Sequence, residues 1–259
     1  MRIVVLVKYV PDIEVGYEFT AANRLDRTGD GLLSELDEHP LEEARRLAET
    51  LGAEVVALTI GPDEAAEALR RALQMGADRA VHVNDAALEG SDAAATALVA
   101  AKAIEQIGGA DLVLTGTESA DSGTGLVPAH LAAELGLPAL TGATALAVEA
   151  GRAVIRKDED TACWTLAANL PALVSVAERA NQPAYPSAKA VMLARRKPVD
   201  ELDLADLGLQ AAQVGAAASR LAVRSIAAVP ERAGGSVLDA SSDEALARFV
   251  ALLEDNNLI

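Results

Sequence analysis

Over its first 135 residues the chain alternates short β-branched runs with long stretches rich in alanine, leucine and glutamate, and this alternation restricts the fold more than anything else in the sequence. Residues 3–7, 55–60, 80–83 and 112–114 read as buried strands. Between and after them, residues 39–51, 63–75, 91–107 and 125–135 read as helices, with Ala65, Leu69, Ala72 and Leu73 at spacings of three and four. A strand that returns to its sheet through a helix needs a crossover each time. The expected class is therefore α/β, a doubly wound and mostly parallel sheet with helices on both faces. Gly52, Gly76, Gly108, Gly109 and Gly136 fall just past the helical stretches, where a left-handed cap residue belongs.

After Pro138 the pattern changes. Residues 143–148 and 152–155 read as a hairpin around a Glu-Ala-Gly turn, and 173–176 as a further strand. From 178 to 198 the chain is loop-rich, with Pro183, Pro186 and Pro198 precluding long helices. Residues 200–235 show little periodicity and read as an extended C-terminal arm, ending in an amphipathic helix at 242–253. The expected division is an α/β domain at 1–190 and a tail at 191–259. Such a tail has no core of its own and lies against something else.

A chain of 259 residues can bury a proper core. Its one cysteine, Cys163, cannot form an intramolecular bridge. The N-terminal apolar run stops at Lys8, too short for a signal segment, and no stretch approaches the ~20 apolar residues of a membrane span. A cytoplasmic protein without membrane insertion is expected. The balance of 22 basic and 39 acidic residues gives a formal charge of −17, which repels a phosphodiester backbone, and 2% aromatic content leaves little for base stacking. Nucleic acid is not an expected partner.

The loop at 115–127, TGTESADSGTGLV, joins the strand at 112–114 to the following helix. It reads either as an ordinary capped turn or as a cradle for phosphate, and it is neither a Walker A nor a G-x-G-x-x-G sequence. Gly116, Gly123 and Gly125 allow close backbone approach, Ser122 and Thr124 can cap a helix or donate to phosphate oxygens, and the helix start supplies free N–H groups. Two more turns lie on the same side of the expected sheet. TIGP at 59–62 follows the second strand, and SELDE at 34–38 is also a sound helix cap. Three turns converging beyond the carboxyl ends of the strands favour a nucleotide.

Catalytic constellations are not expected. His39, His82 and His130 are scattered, with no carboxylate or cysteine at metal-ligand spacing. Cys163 has no neighbouring histidine, and Ser119 and Ser122 do not sit in a nucleophile elbow. The run Arg195-Arg196-Lys197, with Lys189 nearby, is either a solvated face or a device that steers a negatively charged partner.

The segments IVVLVKYVPD, SELDEHPLEEARRL, TIGPDEAAEALRRALQMGADRAVHV, TGTESADSGTG and ERANQPAYPSAKAVMLARRKP, taken in order, resemble the β subunit of electron-transfer flavoproteins, the FixA type included. The likeness runs from residue 1 to about 208, and 242–253 is similar to that family's C-terminal end. The resemblance implies an adenine-nucleotide-binding, HUP-like domain in the noncatalytic half of a heterodimer. An α subunit carries most of the FAD contacts, and the β subunit holds a structural AMP. Electrons arrive from flavin dehydrogenases, such as those for acyl-CoA in fatty acid β-oxidation, and pass to a membrane quinone oxidoreductase.

By position, the resemblance implies AMP contacts from Leu6, Ser34, Glu35, Leu36, Asp37 and Ile60, and from the loop Gly116 to Val127 with Asp121, Ser122, Gly123, Thr124, Gly125 and Leu126. It implies partner contacts from Asp158, Tyr185, Ala188, Lys189, Met192, Arg195 and Arg196, with residues 191–259 forming the end of the partner-recognition loop and a C-terminal arm that packs on the α subunit. Ser34-Glu35 stands where the family usually has Asn-Pro, and Gly123-Thr-Gly-Leu126 where it often has Asp-Thr-Gly-Gln. Asp158-Glu-Asp-Thr161 keeps the acids but not the glycines of the family's carboxylate turn, and Ala188 stands where a leucine normally follows Tyr-Pro-Ser. An alanine cannot fill the leucine's apolar pocket, which weakens docking by about 2 kcal/mol where that leucine is a hot spot. Two alternatives stay open: a flavin-bifurcating relative with FAD in place of AMP, and an independent nucleotide-binding enzyme or sensor.

Overall fold

In the computed structural model of the chain, the described residues are 1–12, 16–27, 29–227, 229, 234, 235, 237 and 243–259. Met1–Arg224 make one compact unit and Ser225–Ile259 a second. The first unit opens with β1 (Arg2–Leu6), whose side chains alternate between two cores: Ile3 and Val5 enter one, Val4 the other. A strand covered on both faces must be apolar at consecutive positions. A short antiparallel ribbon follows, β2 (Tyr9–Pro11) with β3 (Gly31–Leu33).

α1 (Glu35–Leu51) then returns the chain to β4 (Glu54–Ile60), α2 (Ala66–Met75) leads to β5 (Arg79–Val83), and α3 (Ala93–Gln106) leads to β6 (Leu112–Gly116). The Asp92 carboxylate accepts the Ala95 N–H at 2.9 Å and so satisfies one free donor at the start of α3. α4 (Val127–Leu135) follows the long polar loop and ends at Gly136, in the left-handed conformation expected of it. The first helix starts at Glu35, four residues before the expected His39. Pro40 lies inside the helix as its sixth residue, where it has no N–H to offer the Leu36 carbonyl, and the helix continues past it.

Two further expectations are corrected beyond α4. The run expected to begin a hairpin at 143 divides into β7 (Ala139–Ala143), which joins the main sheet, and β8 (Ala145–Glu149). β8 pairs with β9 (Arg152–Asp158) around Ala150 and Gly151, both at positive φ, so the hairpin itself stands. An additional strand, β10 (Cys163–Asn169), pairs along the whole of β9. Its seven residues are half-exposed or exposed, which leaves no buried alternation to read in the sequence. β11 (Ala172–Val176) returns to the main sheet between β6 and β7.

The chain past Ala190, the expected boundary, stays in the first unit. α5 (Ala188–Ala194) is short, as the flanking prolines require, and β12 (Val199–Leu202) adds a parallel edge strand beside β5. Leu204, Leu207, Leu209 and Val214 bury themselves in the same core as Val4, and a single turn, α6 (Gly215–Ala218), closes the segment. The extended arm therefore begins later than residue 200. α7 (Asp243–Asp255) lies in the second unit close to the expected 242–253, although Ser242 is outside the described residues.

The strand order of the seven-stranded parallel sheet is β12-β5-β4-β1-β6-β11-β7. From β1 the chain first winds outward through β4 and β5, then crosses back to β6, so the order reverses between β1 and β6. A doubly wound sheet opens its ligand crevice at such a switch point. α1 and α2 pack on one face through Leu41, Ala44, Leu47 and Leu69, and α3 and α4 on the other through Ile104 and Leu131. Each fully buried leucine or isoleucine contributes about 1.5–3 kcal/mol, so the two layers together fix the positions of the strand ends.

Candidate functional site

The carboxyl ends of β1 and β6, the start of α1 and the loop before α4 meet at the switch point. Lys8 organises this meeting, and sequence reasoning missed it. It follows β1 by two residues, and its ammonium donates to Asp121 Oδ1 at 2.8 Å and Oδ2 at 3.0 Å, to Ser119 Oγ at 3.3 Å and to Ser122 Oγ at 3.4 Å. Arg27, also missed, forms a second ion pair with Asp121, and the Tyr17 hydroxyl donates to the Ala120 carbonyl at 3.1 Å. The only sequence signal was a basic residue beside a run of loop acids, and lone lysines and arginines are too common to single out.

Asp121 has no exposed side-chain surface, while Lys8 and Arg27 each keep 38%. Burial by itself raises the Asp121 pKa, but the Lys8 and Arg27 charges and the Ser119 hydroxyl outweigh it and hold the carboxyl well below the usual range. The Lys8 pKa is lowered by burial, with Asp121 offsetting part of the effect.

Asp37 behaves in the opposite way. It lies in the first turn of α1, 6% exposed, and its Oδ2 accepts the Lys8 backbone N–H at 2.9 Å. Burial raises its pKa to about 7, against lowering contributions from the Lys8 and Gly116 backbone N–H groups and from the Lys8 charge. Gly116 is glycine for a steric reason: a Cβ there would lie 2.8 Å from Asp37 Oδ1, 3.1 Å from the Leu36 carbonyl and 3.2 Å from the Glu118 carbonyl. The end of β6 thus presses directly on α1.

Of the remaining residues expected at the nucleotide, Leu6 and Ile60 end β1 and β4 and are partly buried against the core of the α3–α4 face. Ser34 is fully buried at the cap of α1 and accepts a long hydrogen bond from the Ala120 N–H at 3.5 Å. Glu35 is exposed, and Leu36 is partly buried. Ser122, Gly123, Thr124, Gly125 and Leu126 form the exposed rim of the loop, with Gly123 and Gly125 at positive φ, and Val127 starts α4. The turn at 34–38 and the loop at 115–127 therefore meet, through Ser34–Ala120 and Asp37–Gly116, while the turn at 59–62 follows β4 on the other side of β1 from β6.

Thr115 adds an unpredicted feature. Its hydroxyl is buried, its residue is 4% exposed, and among the described residues it has no hydrogen-bond partner. Val113, two residues earlier on β6, packs into the α3–α4 core, so strand alternation places Thr115 on that same face, one residue from the sheet end where α4 begins. An unsatisfied buried hydroxyl costs about 1–3 kcal/mol unless something bonds to it. The Lys8 ammonium is taken up by Asp121, Ser119 and Ser122, so the donors that suit an anion are the backbone of the loop and the free N–H groups of α4.

Of the expected partner residues, Tyr185 lines a cavity beside the start of α1 with Glu35, Glu38, His39 and Arg71. Tyr185 is 91% exposed, with the Arg71 guanidinium 5.9 Å from its ring centre. Ser187 caps α5 by accepting the Ala190 N–H at 3.2 Å. Ala188, Lys189 and Met192 are exposed on that helix, with Ala188 and Met192 one turn apart, and Arg195 and Arg196 are exposed just beyond it. Asp158 lies elsewhere, at the end of β9. It bonds the Thr144 hydroxyl and Arg156 Nε, each at 2.8 Å, and the Cys163 thiol, Arg156 and Thr144 lower its pKa to about 2.

The histidines are separate: His39 Nδ1 lies 3.1 Å from Asn181 Oδ1, His82 Nε2 lies 3.0 Å from the Gly61 carbonyl, and His130 is exposed on α4. Among the described residues, no three His, Cys, Asp or Glu side chains gather as a metal would require, and no helix is long and apolar enough to cross a membrane.

Residues 23–207 match the electron transfer flavoprotein domain family. The chain is similar to the electron transfer flavoprotein subunit beta of Mycobacterium tuberculosis, 40% identical over 90% of this chain and 91% of that protein. To the subunit of the same name in Mycobacterium leprae it is 42% identical, over 83% of this chain and 84% of the other. It is also 30% identical, over the full length of both chains, to the caffeyl-CoA reductase-Etf complex subunit CarD of Acetobacterium woodii.

Proposed function

The chain belongs to the electron transfer flavoprotein family as a β subunit, and from that premise we propose that it is the noncatalytic half of a cytoplasmic FAD-containing heterodimer, with AMP held at the β1–β6 switch point. In this reading the α subunit holds most of the FAD. The pair accepts electrons from flavin dehydrogenases, such as acyl-CoA dehydrogenases, and delivers them to a quinone oxidoreductase. The flavin supplies the electron-transfer chemistry, and this chain supplies binding and orientation.

The observation that carries the nucleotide assignment is the buried Thr115 hydroxyl, without a hydrogen-bond partner among the described residues, near the end of the strand that leads into a glycine-opened loop and a helix start. A phosphate there gains backbone donors from α4, the Thr115 hydroxyl and the cationic surroundings of Lys8. Leu6, Ile60 and Leu36 supply apolar walls at the same crevice, suited to an adenosine. Tyr185, Ala188, Lys189, Met192, Arg195 and Arg196 form the surface offered to electron donors, and Met192, 72% exposed, provides the apolar contact that Ala188 lacks. Asp158 and the C-terminal arm beyond that loop face the α subunit.

Co-expression with an electron transfer flavoprotein α subunit tests this reading. A yellow 1:1 heterodimer with one FAD and one AMP is expected. A chain that stays colourless and self-associates with the α subunit present contradicts it, and supports an independent nucleotide-binding protein. The full-length likeness to the CarD subunit favours a second reading, FAD in place of AMP in the same crevice. Two FAD and no AMP per heterodimer would establish it.

A further inference from the structure

We propose that Asp37 is the positioning residue of this crevice, and that binding of a nucleotide phosphate there is linked to uptake of a proton by its carboxyl. The inference rests on the nucleotide reading above. Asp37 joins three elements at one point: it belongs to α1, takes the Lys8 N–H at the end of β1, and stands against Gly116 at the end of β6, where even a methyl group would collide with it. Any displacement of this carboxyl moves the strand ends that frame the switch point.

The charges around Asp37 make its protonation state matter to an anion. Lys8 approaches from the end of β1, and Asp121 from the loop after β6. The Lys8 ammonium is committed to Asp121, which Arg27 pairs as well. On α1 itself, Glu38 is drawn away by Arg71 at 2.9 Å. Among the described residues Asp37 therefore has no cation of its own, only backbone donors, and its burial leaves it near neutrality between the two protonation states. A phosphate on the neighbouring loop repels the carboxylate but not the carboxylic acid. The bound complex must then hold its Asp37 proton to higher pH than the free chain, and affinity must fall as pH rises through neutrality.

The experiment uses the full chain, stripped of nucleotide, titrated calorimetrically with AMP at about pH 6, 7 and 8 beside Asp37→Asn. The ratio of wild-type to variant Kd cancels the titration of AMP itself, and it should rise about tenfold across this range. A ratio that stays constant overturns the proposal. Because Asp37→Asn removes an acceptor and can fail to fold, a second measurement uses wild type alone. Near pH 7.5, where the AMP phosphate is already dianionic, binding in two buffers of different ionisation enthalpy should reveal net proton uptake, and none would overturn the proposal. Tight but pH-independent binding defeats this inference and leaves the nucleotide reading intact, whereas absence of binding at every pH defeats both.

Discussion

The crevice and the three-stranded β8–β9–β10 sheet each hold a carboxylate among basic side chains, and the two behave differently. Asp121, with no exposed surface, takes both Lys8 and Arg27 and holds the loop before α4 in place. Asp158, on a side chain 35% exposed, is equally well bonded to Arg156 and Thr144, but water competes for every one of those contacts. Surface ion pairs contribute little, whereas removing one member of a buried set strands the others. The number of partners is thus a poor guide to importance. What decides is whether solvent can replace them.

Gly116→Val should show the strongest contrast. Two of the three atoms its side chain meets are backbone carbonyls that cannot swing aside, so a loss of about 3 kcal/mol is expected, with a melting temperature roughly 10 °C lower. A midpoint within about 2 °C of wild type would show that β6 is not pressed against α1. Asp121→Ala comes next. Lys8 and Arg27 are partly exposed and can rehydrate, so the expected loss is about 2 kcal/mol rather than the full cost of stranding buried charges, read from urea unfolding.

Asp37 predicts a pH slope of definite sign. Its folded pKa of about 7 lies above the unfolded value of about 3.9, so the native chain binds more protons in between. Its stabilising contribution is complete below about pH 4 and is lost as pH rises through about 7. Urea midpoints of wild type should therefore decline over that window relative to Asp37→Asn, and parallel profiles would contradict the burial argument. The smallest change is expected at Asp158→Asn, where the unfolding midpoint should stay within error of wild type even though three groups bond that carboxylate. A clear drop there would mean that the three-stranded sheet depends on its ion pairs.

The sheet was legible wherever burial on both faces forced consecutive apolar residues, as in β1, β4 and β6. β10 and β12 were not, because exposed edge strands need no apolar pattern, and the pairing that defines them is made by distant segments. In the crevice, glycines and hydroxyls marked the loop, since backbone conformation and capping leave a local trace. Lys8 and Arg27 left none: each meets Asp121 about a hundred residues further along, a contact only the folded chain can make. Thr115 reads in sequence as one more β-branched strand residue, and its significance appears only when its hydroxyl is found without a partner among the described residues.

Nucleotide content decides the assignment of the crevice. The chain co-expressed with an α subunit should be purified without added nucleotide and denatured, and the released adenine nucleotides counted, for wild type and for Gly123→Asp. That substitution puts a negative side chain on the loop rim at φ +55, where Glu118 is already close by. One AMP per wild-type chain, falling well below half in the variant while the complex still assembles, is the expected outcome. Unchanged stoichiometry in Gly123→Asp, or no adenine nucleotide from the wild-type complex, would contradict it.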